Sequence, residues 1–358
     1  MKTARWLAVL LLVCPWVLPP AEAPGALFGA AKLNRVNRKL HGQLLDFTHN
    51  HGADRRIWSE ALCQKRDLYV YLPPGFDPAK RYPLVIWLHG FAQDETSFRD
   101  DVIDRLDAAM ACGRLPPAIV AAPDGSLDGH ACVRQAGSFF INTPKGGRFE
   151  DFIMQDVWNF VMANFPIRPE REAHVIAGAS MGGGAAFNLA IKYRDRVKIV
   201  FGIFPPLNAR WVDCHGHYRG NFDPDCWGWQ EQIRPWMVVG RFYGIVTVRV
   251  KHIIGPLYYR GEDVLSHVIE ENPAEMIEAY DLKDGELCMY VAYGGRDQFN
   301  IDAQVESFLY LARQRGLTVG VGYDPRGRHD MATAIRLMPG LFAWLQPLLA
   351  PYCPSPAP

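Results

Sequence analysis

Between residues 42 and 72 apolar and polar positions alternate in short runs, Gly42–Thr48 and Asp67–Leu72, closed by the turn Pro73-Pro74-Gly75. A period of two with turn residues between the runs predicts antiparallel strands. The pattern changes at Pro83. Pro83–Leu88 (PLVIWL) and Pro117–Ala122 (PAIVAA) are unbroken apolar runs, as strands buried on both faces of a parallel sheet require. Helical spacing appears around Phe98–Ala111. It recurs at Phe149, Phe152, Ile153, Val157, Phe160 and Val161, which fall on one face and read as core. Strands at Glu172–Ile176, Lys198–Phe204, Leu287–Ala292 and Leu317–Tyr323 then alternate with helices over Gly183–Tyr193, Asp302–Arg315 and Met331–Leu349. This alternation predicts an α/β architecture: a mainly parallel central sheet, helices on both faces, right-handed crossovers.

Two stretches depart from it. Residues 24–40 read as a weakly ordered lead-in. Residues 209–285 lack the alternation, are rich in Trp, Tyr, His and Pro, and interrupt the sheet late in the chain. We read them as a cap or lid inserted into a single domain over 40–350.

Composition changes this picture little. Apolar residues make up 49% and charged residues 21% of the 358, ordinary for a chain with a real core. The 38 basic and 38 acidic residues balance, so no basic surplus drives binding to nucleic acid or to an anionic membrane. The first residues add a destination. Lys2 and Arg5 precede an apolar run from Trp6 to Leu18, and Ala21, Ala23 and Gly25 follow, the layout of a secretory signal over residues 1–25. Cys14 does not mark a lipoprotein, because Val13 before it is too large. Secreted or periplasmic delivery is therefore expected, with no stable membrane insertion once the signal is removed.

Seven cysteines remain beyond that segment, and an oxidising compartment permits disulfides. Cys214 and Cys226, close together in a loop-like stretch, are the expected bridge. Cys288 lies in an apolar run and reads as a buried free thiol. Cys214, His215, His217, Asp223, Asp225 and Cys226 also crowd one loop as zinc ligands would, but two cysteines in an exported loop favour the disulfide. Trp211, Tyr218, Phe222, Trp227, Trp229 and Trp236 in the same region suit equally a surface for flat rings and a small core for the cap.

The chemistry centres on Gly178-Ala179-Ser180-Met181-Gly182, a G-x-S-x-G match between a predicted strand (Ala173–Ala177) and a predicted helix. That context is the strand-to-helix elbow of an α/β-hydrolase nucleophile; a glycine-rich turn with an incidental serine would not require it. A serine hydroxyl needs a base to take its proton. On this fold the acid and the histidine follow the serine, each just beyond a strand. Asp297 follows Leu287–Ala292 and the turn Tyr293-Gly294-Gly295-Arg296; His329 follows Leu317–Tyr323. Asp302 is a rival for Asp297, although a helix N-cap role explains it. Asp330 adjoins His329 in sequence and should point elsewhere. His89 and His174 sit beside strands and read as structural. The oxyanion hole is expected from the backbone N–H groups of Met181 and Phe91, with Gly90 turning the chain toward the site.

At these residues the sequence resembles the putative-esterase family of α/β-hydrolases. That family includes feruloyl and acetyl-xylan esterases, S-formylglutathione hydrolase, siderophore (enterobactin-type) esterases and mycolyltransferases. The matching stretches are YVYLPPGFDPAKRYPLVIWLHGF (69–91), PDG (123–125), HVIAGASMGGGAAFNLA (174–190), YGGRDQFN (293–300) and GRHDM (327–331). The resemblance implies a Ser180, Asp297, His329 triad with no metal or organic cofactor, acting on a small-molecule or polysaccharide-linked ester. Segment 209–285 is long beside compact members and leaves the substrate class open. An acyltransferase, a peptidase of the same fold and a non-catalytic binding protein are the alternatives; an intact triad argues against the last.

Overall fold

The computed structural model describes residues 24–132, 137–242 and 246–354. Most of the expected export signal, residues 1–23 with Cys14, lies outside the described residues.

Eight strands form one sheet: β1 (Gln43–Phe47), β2 (Leu68–Leu72), β3 (Leu84–Leu88), β4 (Ile119–Pro123), β5 (His174–Ala179), β6 (Ile199–Ile203), β7 (Cys288–Gly294) and β8 (Val319–Asp324). Their spatial order is β1-β2-β4-β3-β5-β6-β7-β8. β1 pairs antiparallel with β2, and β2 with β4. All later neighbours are parallel. Every residue of β2, β3, β4 and β6 is buried. Successive side chains point to opposite faces, so both faces of the central sheet are covered, as the unbroken apolar runs require. The antiparallel edge and parallel centre follow the change of period near residue 83.

The helices that matter to the site are α1 (Pro24–Asn37), α2 (Ile103–Ala111), α3 (Trp158–Asn164), α4 (Met181–Lys192), α5 (Val250–Ile254), α6 (Val264–Glu270), α7 (Pro273–Ala279), α8 (Ile301–Gln314) and α9 (Met331–Leu349). Both predicted helical faces before α4 contain a π-type stretch, Phe98–Val102 ahead of α2 and Phe152–Val157 ahead of α3. α4 packs on β5 and β6, and α9 on β7 and β8. No described helix is long and apolar enough to cross a membrane.

Helix α1 corrects the expected weakly ordered lead-in. Its last residue, Asn37, is fastened to β1. The side-chain amide donates to the Leu44 carbonyl (3.0 Å), and its oxygen accepts from the Leu44 N–H (2.7 Å). Apolar periodicity misses such a polar side-chain clamp across the turn between helix and strand.

Between β6 and β7 the chain leaves the sheet. It forms two antiparallel hairpins, Trp211–Asp213 with Trp227–Trp229 and Val238–Phe242 with Val246–Arg249, and then α5 and α6. α7 rejoins the main body against α4 and α8. Cys214 and Cys226 form the expected disulfide across the first hairpin. Cys63, Cys112, Cys132, Cys288 and Cys353 are free, and Cys288 is half-buried rather than buried.

Candidate active site

Ser180 is the single residue between the end of β5 and the first residue of α4. Its φ of 54° and ψ of −122° are a strained combination for a residue with a side chain. The surroundings hold it there: its N–H donates to the Ile203 carbonyl at 2.7 Å. The flanking glycines are steric requirements. A Cβ on Gly182 would lie 2.2 Å from the Leu88 oxygen, and one on Gly178 2.5 Å from the backbone of Gly182. Only bare backbone lets α4 start this close to β3.

Asp297 lies three residues beyond β7 and His329 five beyond β8, and the fold brings both to Ser180. His329 Nε2 is 2.9 Å from Ser180 Oγ, and its Nδ1 is 2.8 Å from Asp297 Oδ2. With the proton on Nδ1, the ring donates to the carboxylate and accepts from the hydroxyl. The Asp297 side chain is fully enclosed, and its other oxygen accepts from the Phe299 N–H at 2.7 Å. Phe204 and Phe299 flank the imidazole, with ring centroids 4.8 and 5.1 Å away.

Neither rival takes the place of Asp297 beside His329. Asp330 caps α9 by accepting from the Thr333 N–H at 2.8 Å. Asp302 is not the N-cap of α8. Asn300 is, in a left-handed conformation, and Asp302 falls inside the first turn. Burial, and then the charge of Asp297, push the Asp302 carboxyl up to about 6.

On the far side of Ser180, Gly90 brings the loop after β3 so close that a Cβ there would be 3.5 Å from that of Ser180. His89 secures this loop, its Nδ1 against the Gly90 carbonyl (2.9 Å) and its Nε2 accepting from the Gly125 N–H (2.8 Å). Burial pushes its pKa down, which keeps the ring neutral as that pattern requires. His174 is likewise structural, its ring nitrogens 2.8 and 2.7 Å from the Arg196 and Arg168 carbonyls. Below the loop, Asp67, Glu95 and Asp124 form a buried carboxyl cluster. Arg66 Nη2 sits 2.7 Å from Asp124. Burial, reinforced by the neighbouring charges, pushes Glu95 up to about 9.

Two glutamines escaped the sequence reading. Gln298 holds the backbone of His329 from both sides, its amide donating to the carbonyl and its oxygen accepting from the N–H, both at 3.2 Å. Gln93 accepts from the Gly90 N–H at 2.9 Å. The only available signal was adjacency to the motifs, since a polar loop residue has no periodicity.

Ser180, His329 and Phe91 line two cavities. The outer one is a wide cleft of about 1330 Å³, edged by Arg219, Arg241, Arg296 and Arg328. The inner one, of about 180 Å³, runs under the segment between β6 and β7. The aromatics of that segment mostly pack inside the protein, in part against α8. Trp211 and Tyr218 are buried, and Phe222 and Trp227 pack on Tyr310 of α8. Trp236 is exposed, with Lys251 Nζ 3.8 Å above its ring. The disulfide withdraws Cys214 and Cys226 from the zinc reading, because a bridged sulfur is not a thiolate.

Residues 59–319 match the family model described as Putative esterase. The chain belongs to that family. Among curated members of related sequence, the S-formylglutathione hydrolase of Arabidopsis thaliana is 27% identical over 169 residues, 43% of this chain and 57% of that protein. An endo-1,4-beta-xylanase/feruloyl esterase of Xylanibacter ruminicola is 28% identical over 145 residues, 37% of this chain and 19% of that protein. The chain thus spans little more than half of one curated relative and about a fifth of the other. A solved ferulic acid esterase superposes with a TM-score of 0.62 at 18% identity, over 87% of this chain and 99% of its own. This likeness establishes the α/β-hydrolase fold for the esterase-family chain.

Proposed function

We propose that this chain is an exported serine hydrolase that cleaves carboxylic esters through an acyl-enzyme on Ser180. The observation that carries the reading is the unbroken chain of hydrogen bonds from Ser180 Oγ through His329 to the buried Asp297 carboxylate. Ser180 Oγ attacks the carbonyl carbon while His329 Nε2 takes its proton. Asp297 holds the Nδ1–H tautomer and stabilises the imidazolium. The N–H groups of Met181, at the positive end of α4, and of Phe91 receive the oxyanion. As the tetrahedral species collapses, Nε2–H protonates the departing alkoxide. Water then repeats the sequence on the acyl-enzyme, releasing the acid and restoring Ser180.

Membership of the esterase family supports the reaction class. The Cys214–Cys226 disulfide supports export to an oxidising compartment. We take the segment expected over 209–285 as the cap over the site, with α7 returning from it to the main body.

A fluorophosphonate probe should label Ser180, and Ser180→Ala should abolish both labelling and hydrolysis of p-nitrophenyl butyrate without moving the thermal midpoint. The loss in kcat should be on the order of 10⁶. Labelling elsewhere, or retained turnover, would refute the assignment.

A further inference from the structure

The inner cavity differs from the outer cleft in what walls it. Opposite Ser180, His329 and Phe91, its lining is aliphatic and comes from the segment between β6 and β7: Ile233, Met237, Val248, Val250, Ile254 and Leu265 are representative. Its polar neighbours are tied down by their nitrogens. Arg210 Nε donates to the Gln230 carbonyl at 2.9 Å and its Nη1 pairs with Glu275. Gln230 donates to the Gln232 carbonyl at 2.8 Å, and Gln304 to the Tyr218 hydroxyl at 2.9 Å. Arg210 is the one arginine or lysine among the described lining residues, with two of its nitrogens engaged, and Gln230 Oε1 and Gln304 Oε1 add buried acceptors to the mostly apolar wall. The aliphatic side chains share the lining with Phe91, Phe139, Tyr218 and Phe299, and they outnumber these aromatic ones.

We propose that this cavity receives the acyl chain of the substrate, and that the chain is aliphatic and of medium length. The inference rests on the acyl-enzyme reading of Ser180. An ester diverges from its carbonyl carbon into an acyl arm and an alcohol arm, and two cavities diverge from Ser180. The alcohol arm must depart after protonation by His329, which the open cleft allows. The acyl arm stays on Ser180, next to the smaller and more apolar of the two cavities. A cavity of about 180 Å³ slightly exceeds the ~150 Å³ apolar cavity that takes up benzene, which gives room for about six to eight carbons.

Two measurements separate this proposal from the one it rests on. Octanoate should raise the thermal midpoint of Ser180→Ala protein, whereas acetate and ferulate should not. This binding needs no catalysis. With the unmodified enzyme, kcat/KM for p-nitrophenyl esters should climb with acyl length by up to about fourfold per methylene. It should peak near six to eight carbons and fall beyond. Ile254→Trp, or Leu265→Phe if the first variant misfolds, should move the peak to two to four carbons. Octanoate binding without hydrolysis of any ester would sink the triad reading and leave the cavity assignment standing. Hydrolysis that peaks at acetate, a flat length series, or faster turnover of methyl ferulate than of methyl hexanoate would overturn the acyl-chain proposal.

Discussion

The sheet edge and the segment between β6 and β7 meet at Ser180, but they are built differently. At the C-terminal ends of the sheet strands each group of the proposed triad follows a strand: Ser180 after β5 and Asp297 after β7, both largely buried, and His329 after the half-exposed edge strand β8. Their positions are fixed by hydrogen-bonded register and by glycines that tolerate no Cβ. The segment has only two short hairpins and two short helices of its own. A disulfide braces it internally, and its ties to the frame include Tyr218, whose hydroxyl donates to the Phe299 carbonyl at 2.6 Å and whose carbonyl accepts from Asn300 at 3.0 Å, and Arg219, which donates to the Gln298 carbonyl at 3.0 Å. In this division the reaction is assigned to the rigid frame, and the choice of substrate to a wall that can be rebuilt without disturbing it.

Perturbations on the two sides should therefore differ in kind. The largest effect is expected at the frame. Asp297→Asn should lower kcat by about 10⁴ with little change in KM, since the ring loses its tautomer and its counter-charge. Asp302→Asn should stay within about fivefold, because Asp302 is displaced from that role by geometry. Comparable losses in steady-state kinetics would remove the distinction between these carboxylates.

On the other side, replacing Cys214 and Cys226 together by serine opens a loop of separation 12. The expected cost is about 3 kcal/mol in the chain-entropy account, and it should be confined to the hairpin. Hydrogen exchange should quicken over about 209–240, while amides of β5 and β6 keep their protection. Equal acceleration in the sheet would show that the two regions unfold as one.

The smallest difference concerns pH. Glu95 lies in the frame, its carboxyl raised to about 9 by burial and by the surrounding charges of Asp124, Asp94 and Asp67. A carboxyl with a higher pKa folded than unfolded holds its proton better when folded. Its contribution to stability is therefore full below about 4.5 and is lost as pH rises through about 9. Glu95→Gln should flatten the fall of the thermal midpoint between pH 6 and 9. A profile parallel to the unmodified protein would mean that Glu95 is already ionised in the fold.

What the sequence disclosed follows the same division. Unbroken apolar runs located β3, β4 and β6, and the residues just past the late strands located Asp297 and His329, because parallel strands and their loops carry a strong linear signature. The Cys214–Cys226 pair was legible from proximity alone. Helix α1 was not, since Asn37 secures it through a contact with Leu44 outside any helical window. The clamp of Gln298 on His329 links loops 31 residues apart and has no periodic mark. The inner cavity was hidden for a further reason. Ile233, Val248 and Leu265 lie on separate elements, and only the folded chain shows that they share a surface.

That Ser180 and His329 border both cavities sets a sequence of events. On the proposed reading, once the first product has left past the arginines the outer cleft is vacant while the inner one holds the acyl chain. Whatever next enters the vacated side meets the imidazole first. Water has no rival there in dilute solution, but a bulkier nucleophile held by those arginines would intercept the intermediate. The ratio of free acid to transferred product is thus governed at the mouth of the enzyme, far from the greasy end that selects the acid.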